Sequence, residues 1–383
     1  MQARHYQRVV VKLGTSTLTA GTPRLAPAVI VELVRQMAQL ISAGAQVVLC
    51  SSGAIAAGRE RMQLPAMPGP TIVPRQMLAA VGQPRLMALY EQLFGLYGQT
   101  VAQVLLTRGD FSRRRSYLNA RMTMTAILEQ GVVPIVNEND TTATEEIRVG
   151  DNDNLSAMVA GLVDADLLLL LTDQPGLFTG DPRKDAAAQL VGEVNEPEIP
   201  PALWAAAGMS DTGLGVGGMV TKLQAADLAR RGGATTIIAH GREPNVITRA
   251  CAGEAIGTRF SALTTALDSR QRFIWAGWDG HAHVVVDAGA AEALRGGRSL
   301  LPVGITAVTG PFERGDPVAV LDAAGHELAR GLVNYDAADV SRLKGQRSTA
   351  IASVLGFSYG DEVIHRNQLV RREGGREGSH EAA

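Results

Sequence analysis

Along the first two-thirds of the chain, short apolar runs end in small polar residues. They alternate with longer stretches whose apolar positions recur every three to four residues. The runs are "RVVVKLG" (8–14), "AQVVLCSSG" (45–53), "VVPIVNEND" (132–140), "ADLLLLLTD" (165–173) and "ATTIIAHG" (234–241). Each has the length and apolar continuity of a strand buried on both faces. Between the first two runs, "APAVIVELVRQMAQLISAG" sets Ile30, Leu33, Val34, Met37, Leu40 and Ile41 on one helical face, and Gly44 stops it. "MVTKLQAADLARRGG" (219–233) reads as a second helix. The alternation predicts βα units around a mainly parallel sheet. Ligands of such sheets sit at the carboxyl ends of the strands. Lys12–Gly14, Ser51–Gly53, Asn137–Asp140 and Thr172–Asp173 are therefore expected on one edge.

The texture changes near residue 260. "FSALTTALDSRQRFIWAGWDG" (260–280) reads as a helix or linker, and short alternating pieces with turns follow, from "HAHVVVDAGA" to "HELARGLVNYD". These predict a compact β-rich domain. The tail "RREGGREGSHEAA" is polar and glycine-rich and is expected to be disordered. A chain of 383 residues exceeds what one core usually serves, which also favours two domains. Lys+Arg total 36 and Asp+Glu 38, a formal net charge of -2, whereas dedicated nucleic-acid binders are basic. Two cysteines, Cys50 and Cys251, exclude a disulfide framework or a four-thiolate zinc site. The opening "MQARHYQRVVVKLG" lacks a signal-peptide pattern, and "DLLLLLT" is too short to span a bilayer, so a cytoplasmic enzyme is expected.

The glycine-rich stretch "GLGVGGMVTK" (213–222) fits G-x-G-x-x-G at Gly213, Gly215 and Gly218. A dinucleotide fold needs a strand immediately before it, and "LWAAAGMSDT" is not strand-like. A protein-kinase loop gains Val220 but lacks an H-R-D catalytic loop, and "DFS" (110–112) is not D-F-G. No segment fits a Walker loop. What remains is a glycine turn opening a helix, whose free N–H groups, dipole and Lys222 converge on one anion. Lys12 ends the first apolar run beside Gly14, Thr15, Ser16 and Thr17. A lysine there is costly unless paired, or else snorkels from an edge strand. Two lysines beside glycine turns suit phosphoryl transfer, where fixed cations stabilise charge on the transferred group.

The acidic counterpart lies in "NENDTTATEEIRVGDNDNLSAMVAGL" (137–162). It lacks the spacing of a calcium-binding EF-hand. Asp151 or Asp153 suits capping of the helix that follows, or orienting the two lysines. Cys50 has no identifiable base nearby and reads as a small buried residue.

Taken together, "VVVKLGTSTL", "LCSSGAIAAGRERM", "YLNARMT", "PIVNENDT", "GDNDNLSA", "LLLTDQPGLFTGDP" and "GVGGMVTKLQAA" resemble the glutamate 5-kinase family, within the amino-acid kinases. The segment "VVVDAGAAEALRGGRSLLPVGITAVTGPFERGDPVAV" resembles a PUA domain. The resemblance covers about residues 8–370. It implies a three-layer α/β sandwich with a mainly parallel central sheet (the amino-acid kinase fold) in 1–260, a linker at 261–274, a PUA domain at 275–353, a terminal strand region at 354–370 and a disordered tail at 371–383. It implies ATP-dependent phosphorylation of the γ-carboxylate of L-glutamate to γ-glutamyl phosphate, the first step of proline biosynthesis. Lys12 and Lys222 match the lysines at the phosphoryl group. Ser52, Asp140 and Asn152 match the glutamate-binding positions, and Thr172 and Asp173 the nucleotide-binding pair. Val216, Gly217, Gly218, Met219, Val220, Thr221 and Lys222 match the second nucleotide loop. Gly14 and Gly53 are expected to offer backbone donors to the phosphates. Asp153 is the expected orienting carboxylate, with Asp151 as runner-up. Val216 departs from the family's frequent threonine, which removes a hydroxyl contact. Mg²⁺ is expected to ride on the nucleotide, with no protein metal site. Proline as feedback inhibitor, sensed near "RRRSYLNAR" (113–121), and a homodimer or homotetramer are further implications; the alternative for that basic run is a solvated helical face.

The chemistry agrees, because a carboxylate nucleophile is already ionised at neutral pH and needs no strong general base. The alternatives are another carboxylate or carbamate kinase of the superfamily and an RNA-binding PUA protein. Residues 275–347 carry seven Lys/Arg against nine Asp/Glu, a net of −2 that argues against RNA.

Overall fold

The computed structural model describes residues 6–64, 71–143, 151–182, 185–208, 218–266, 268, 274 and 280–371; the side chain of Asp151 is outside that set. Gly213, Gly215, Val216 and Gly217, residues 267 and 269–273 of the expected linker and all but the first residue of the expected disordered tail lie outside the described residues. The chain divides into two compact units, Met1–Ser112 with Asn119–Ser269, and Arg113–Leu118 with Arg270–Ala383.

In the first unit the strands are β1 (Arg8–Leu13), β2 (Gln46–Ser51), β3 (Val101–Leu106), β4 (Val133–Glu138), β5 (Leu167–Thr172), β6 (Glu193–Val194), β7 (Thr235–His240) and β8 (Thr258–Phe260). Among the described residues they form an eight-stranded sheet in the order β3-β4-β2-β1-β5-β7-β8-β6. Strands β3 through β7 in that order run parallel, and β8 turns antiparallel to β7. The helices are α1 (Thr15–Thr19), α2 (Pro27–Ser42), α3 (Ala54–Arg61), α4 (Ile72–Gly95), α5 (Arg108–Ser112), α6 (Arg114–Glu129, of which the part up to Leu118 is assigned to the second unit), α7 (Asp151–Leu162), α8 (Pro201–Gly208), α9 (Met219–Arg231) and α10 (Val246–Cys251).

Strand periodicity divides the buried residues between two helical layers. Val9, Val11 and Leu13 of β1, with Leu167, Leu169 and Leu171 of β5, pack under Ile30, Leu33 and Met37 of α2 and Leu86, Tyr90 and Phe94 of α4. Val10, Lys12, Val48, Cys50, Leu168 and Leu170 occupy the alternate positions and are buried as well. There α7 packs on β1 and β5 and against α9. Both faces of the sheet are thus covered, as the apolar runs required. β1 is central: the chain leaves it toward β2 on one side and later crosses to β5 on the other. A crevice at the carboxyl ends of the strands follows from that reversal.

Helices α3 and α4 approach unusually closely. A Cβ on Gly58 would lie 1.9 Å from the Leu78 carbonyl oxygen, and one on Gly82 would lie 1.8 Å from that of Ala54. Glycine at both positions lets the backbones touch, which sets α4 against the first turn of α3 and hence beside the end of β2.

In the second unit β9 (His283–Val286), β10 (Ile305–Thr309), β11 (Pro317–Leu321), β12 (Glu327–Leu332) and β13 (Leu369–Arg371) form a sheet in the order β10-β9-β11-β12-β13. Only β9 and β11 pair in parallel among the described residues. Helices α11 (Ala288–Arg295), α12 (Ala337–Leu343) and α13 (Ile351–Leu355) accompany it. Val284, Val286, Ile305, Val318, Val320 and Leu343 contribute to its own core. Among the described residues no helix is long and apolar enough to cross a membrane.

Candidate active site

The carboxyl ends of β1, β2, β4 and β5 lie on one edge because those strands are parallel neighbours. Lys12 sits at the end of β1, on the face that α7 covers, and its ammonium lies 2.5 Å from Asp153 Oδ1. Asp153 stands in the first turn of α7. Its other oxygen, Oδ2, is 3.2 Å from Lys222 Nζ and accepts a hydrogen bond from the Thr221 hydroxyl at 2.8 Å. Lys222 and Thr221 belong to the first turn of α9, whose N-cap is Gly218 with extended backbone and no side chain capping it. The Thr221 hydroxyl is also 2.8 Å from the Gly218 carbonyl. Lys12 and Lys222 are each 6% exposed and Asp153 1%. Two buried ammoniums therefore share one carboxylate.

Burial alone would raise the Asp153 carboxyl. The charges of Lys12 and Lys222, and hydrogen bonds from Lys12 and Thr221, outweigh burial and hold it at about 2. Lys12 is held below the ordinary lysine value, first by burial and then by the like charge of Lys222, against the opposing pull of Asp153. Asp153 is thus ionised across the physiological range.

Asn152 is the preceding residue of α7, about 100° around the helix, and it faces different neighbours. Its Nδ2 donates to Ser52 Oγ at 2.9 Å and to Asn137 Oδ1 at 3.2 Å. Asn137 Nδ2 in turn donates to Gln83 Oε1 of α4 at 2.8 Å. Beneath this network the Ser51 hydroxyl pairs with the buried Tyr90 hydroxyl at 2.7 Å. Gln83 and Tyr90 are seven residues apart, so one face of α4 meets the ends of both β4 and β2.

The glycines act locally. Gly53 opens α3 at φ +98, and a Cβ there would meet Leu18 Cδ1 at 3.0 Å, so the turn after Ser52 requires glycine. Gly14 has an ordinary φ of -76. A Cβ on it would lie 3.4 Å from Lys12 Nζ and 3.8 Å from the Leu171 carbonyl oxygen, so its bareness keeps space open over the lysine head. Thr172 ends β5 with its hydroxyl donating to Asp173 Oδ1 at 3.0 Å, and Asp173 is exposed on the same edge. Asp140 is half-buried in the turn after β4.

Two expectations change. Asp153 is a candidate helix cap in the sequence, yet α7 begins at Asp151 and Asp153 lies inside its first turn, pointing to the lysines. "RRRSYLNAR" is helical from Arg114. It is not wholly a solvated face: Arg121 is 6% exposed and pairs with Asp164 at 2.5 Å. Gln83 and Tyr90 went unread in the sequence, and Asn137 was read only as a polar strand end. Cys50 is buried, and burial pushes its thiol well above the ordinary range, as befits a packing residue.

The amino acid kinase family model matches residues 7–240, and the PUA domain model matches 282–355. A glutamate 5-kinase from Shewanella pealeana is 52% identical over 366 residues, 95% of this chain and 98% of that protein. Those from Herpetosiphon aurantiacus and Photobacterium profundum are 52% and 53% identical, again over 95% of this chain and 98% and 96% of theirs. Among solved structures, UMP kinase from Bacillus anthracis aligns with a TM-score of 0.45 at 16% identity, covering 68% of this chain and 98% of that one. With a family model over more than half its length and relatives at this identity over nearly all of it, the chain is a kinase and belongs to the amino acid kinase family, among the glutamate 5-kinases with a C-terminal PUA domain.

Proposed function

We propose that this chain transfers the terminal phosphoryl group of ATP to the γ-carboxylate of L-glutamate, giving γ-glutamyl phosphate, the first step of proline biosynthesis. The observation that carries this reading is the buried Lys12–Asp153–Lys222 cluster, in which two ammoniums meet at one carboxylate. Such a cluster is complemented by an anion, and the chemistry brings two anions together. Lys12 and Lys222 stabilise the charge on the transferred group, and Asp153 fixes both ammoniums without a proton of its own to exchange. The uncapped N-terminus of α9 adds backbone donors and the positive end of its dipole at the same point. Gly14 and Gly53 offer backbone N–H groups, and Thr172 and Asp173, with 216–222, bind the nucleotide. Ser52, Asn152 and Asp140 hold glutamate, with Asp140 facing its ammonium.

Among the described residues no three His, Cys, Asp or Glu side chains gather to hold a metal. A magnesium ion carried by the nucleotide phosphates would neutralise phosphate charge. On this reading residues 1–260 carry both substrate sites, 261–274 link them to the PUA domain of 275–353, and proline acts as feedback inhibitor on a dimer or tetramer.

The test is purified protein with ATP, Mg²⁺ and hydroxylamine, which traps the acyl phosphate as a coloured hydroxamate. L-Glutamate is compared with aspartate, N-acetylglutamate and carbamate. Colour with glutamate alone is the expected result. Colour with another acceptor alone would keep the phosphoryl-transfer cluster and reassign Asp140 and Asn152.

A further inference from the structure

The amide network beside the lysine cluster fixes the direction of every carboxamide in it, beginning from one backbone group. The Glu138 N–H donates to the Asn137 side chain at 2.9 Å, so the contacted atom must be the oxygen, Oδ1. Asn137 Nδ2 is then directed at Gln83, which must present Oε1 to it. Asn137 Oδ1 also receives Asn152 at 3.2 Å, so Asn152 must present Nδ2 there and to Ser52. No flip of one amide is possible without placing donor against donor or acceptor against acceptor. Among the described residues the network leaves two buried atoms without a hydrogen-bond partner, the donor Gln83 Nε2 at its far end and the acceptor Asn152 Oδ1 at the site. A buried acceptor without a donor is a group awaiting one.

We propose that Gln83 is a positioning residue of the acceptor site: it holds Asn137, which holds the Asn152 carboxamide with its oxygen reserved for an N–H donor of the substrate. This rests on the reading of the acceptor as an amino acid, whose α-ammonium is that donor. The close packing of Gly82 on Ala54 anchors α4 at this point, so Gln83 is presented from a rigid helix rather than from a loop.

The test uses the full chain in the hydroxylamine assay with L-glutamate and with glutarate, which keeps both carboxylates and lacks the α-ammonium. Gln83→Met removes the acceptor for Asn137, and Gln83→Asn withdraws it by one methylene. Both are expected to lower the ratio of kcat/KM for glutamate over glutarate roughly tenfold, the equivalent of about one hydrogen bond, with the KM for ATP unchanged. In the double variant Gln83→Met/Asn152→Ala the ratio should match that of Asn152→Ala alone, because the first residue acts through the second. General damage to the fold would lower glutamate and glutarate turnover together and leave the ratio intact, which would overturn the positioning role. So would additive losses in the double variant. Absence of glutamate turnover in the unmodified protein would instead contradict the reaction itself.

Discussion

Two kinds of surface meet at the first turn of α7. On the side of Asp153, two buried ammoniums lie within ion-pair distance of one carboxylate, and the proposed recognition rests on charge. On the side of Asn152, the Ser52–Asn152–Asn137–Gln83 contacts involve no formal charge, and the proposed recognition rests on the direction of each donor and acceptor. A charge cluster attracts an anion of almost any shape. An amide network admits only a ligand whose groups point correctly. On the function proposed above, adjacent residues of one helix turn divide the work: attraction of phosphate on one side, selection of the acceptor on the other.

The largest expected effect tests what holds the charged side together. Asp153→Asn leaves two buried ammoniums without a carboxylate and should destabilise the protein by about 3–5 kcal/mol in denaturant unfolding. Lys222→Ala leaves a balanced Lys12–Asp153 pair, so stability should barely change while kcat falls by on the order of a hundredfold or more. If Asp153→Asn were as stable as the unmodified chain, the cluster would not depend on its carboxylate. Acid provides an independent check. The folded value of Asp153 is depressed from 3.8 to about 2, so its contribution is complete above the unfolded value and is lost as pH falls through the folded one. The stability gap between unmodified protein and Asp153→Asn should accordingly narrow between those two values.

On the amide side, Asp140→Ala is expected to raise the KM for glutamate by roughly tenfold or more while that for ATP stays near its starting value. An effect on ATP alone would move Asp140 across the comparison. The smallest change concerns Gly14→Ala. Its backbone suits alanine, so stability should hold or rise by about 0.4–1 kcal/mol, while the added methyl over Lys12 lowers turnover. Unchanged turnover would show that the space above the lysine is unused.

The two sides also differ in how far the sequence disclosed them. Lys12 stood out because a lysine at the end of "RVVVK" needs a partner, and Lys222 because it follows glycines at a helix start. The apolar runs likewise gave the central strands. Gln83 gave no such signal: its partner Asn137 is 54 positions away, and a glutamine in a helix is unremarkable by composition. Helix α4 itself is blurred by apolar residues on its exposed face, Val73 at 71% and Met77 at 42%, which mask the helical period. The placement of Asp153 turned on one helix turn, since α7 starting at Asp151 converts a cap into an inward-facing carboxylate. Charges in apolar runs are legible because they violate a local rule, whereas amide networks obey every local rule and exist only through long-range contacts.

The most direct measurement is steady-state kinetics of Lys222→Ala and Asn152→Ala side by side in the hydroxylamine assay. The expected result is a split, with Lys222→Ala losing kcat at a nearly unchanged KM for glutamate and Asn152→Ala raising that KM with a smaller loss of kcat. Lys222→Ala acting only on the glutamate KM, or Asn152→Ala lowering kcat alone, would contradict the division of the site.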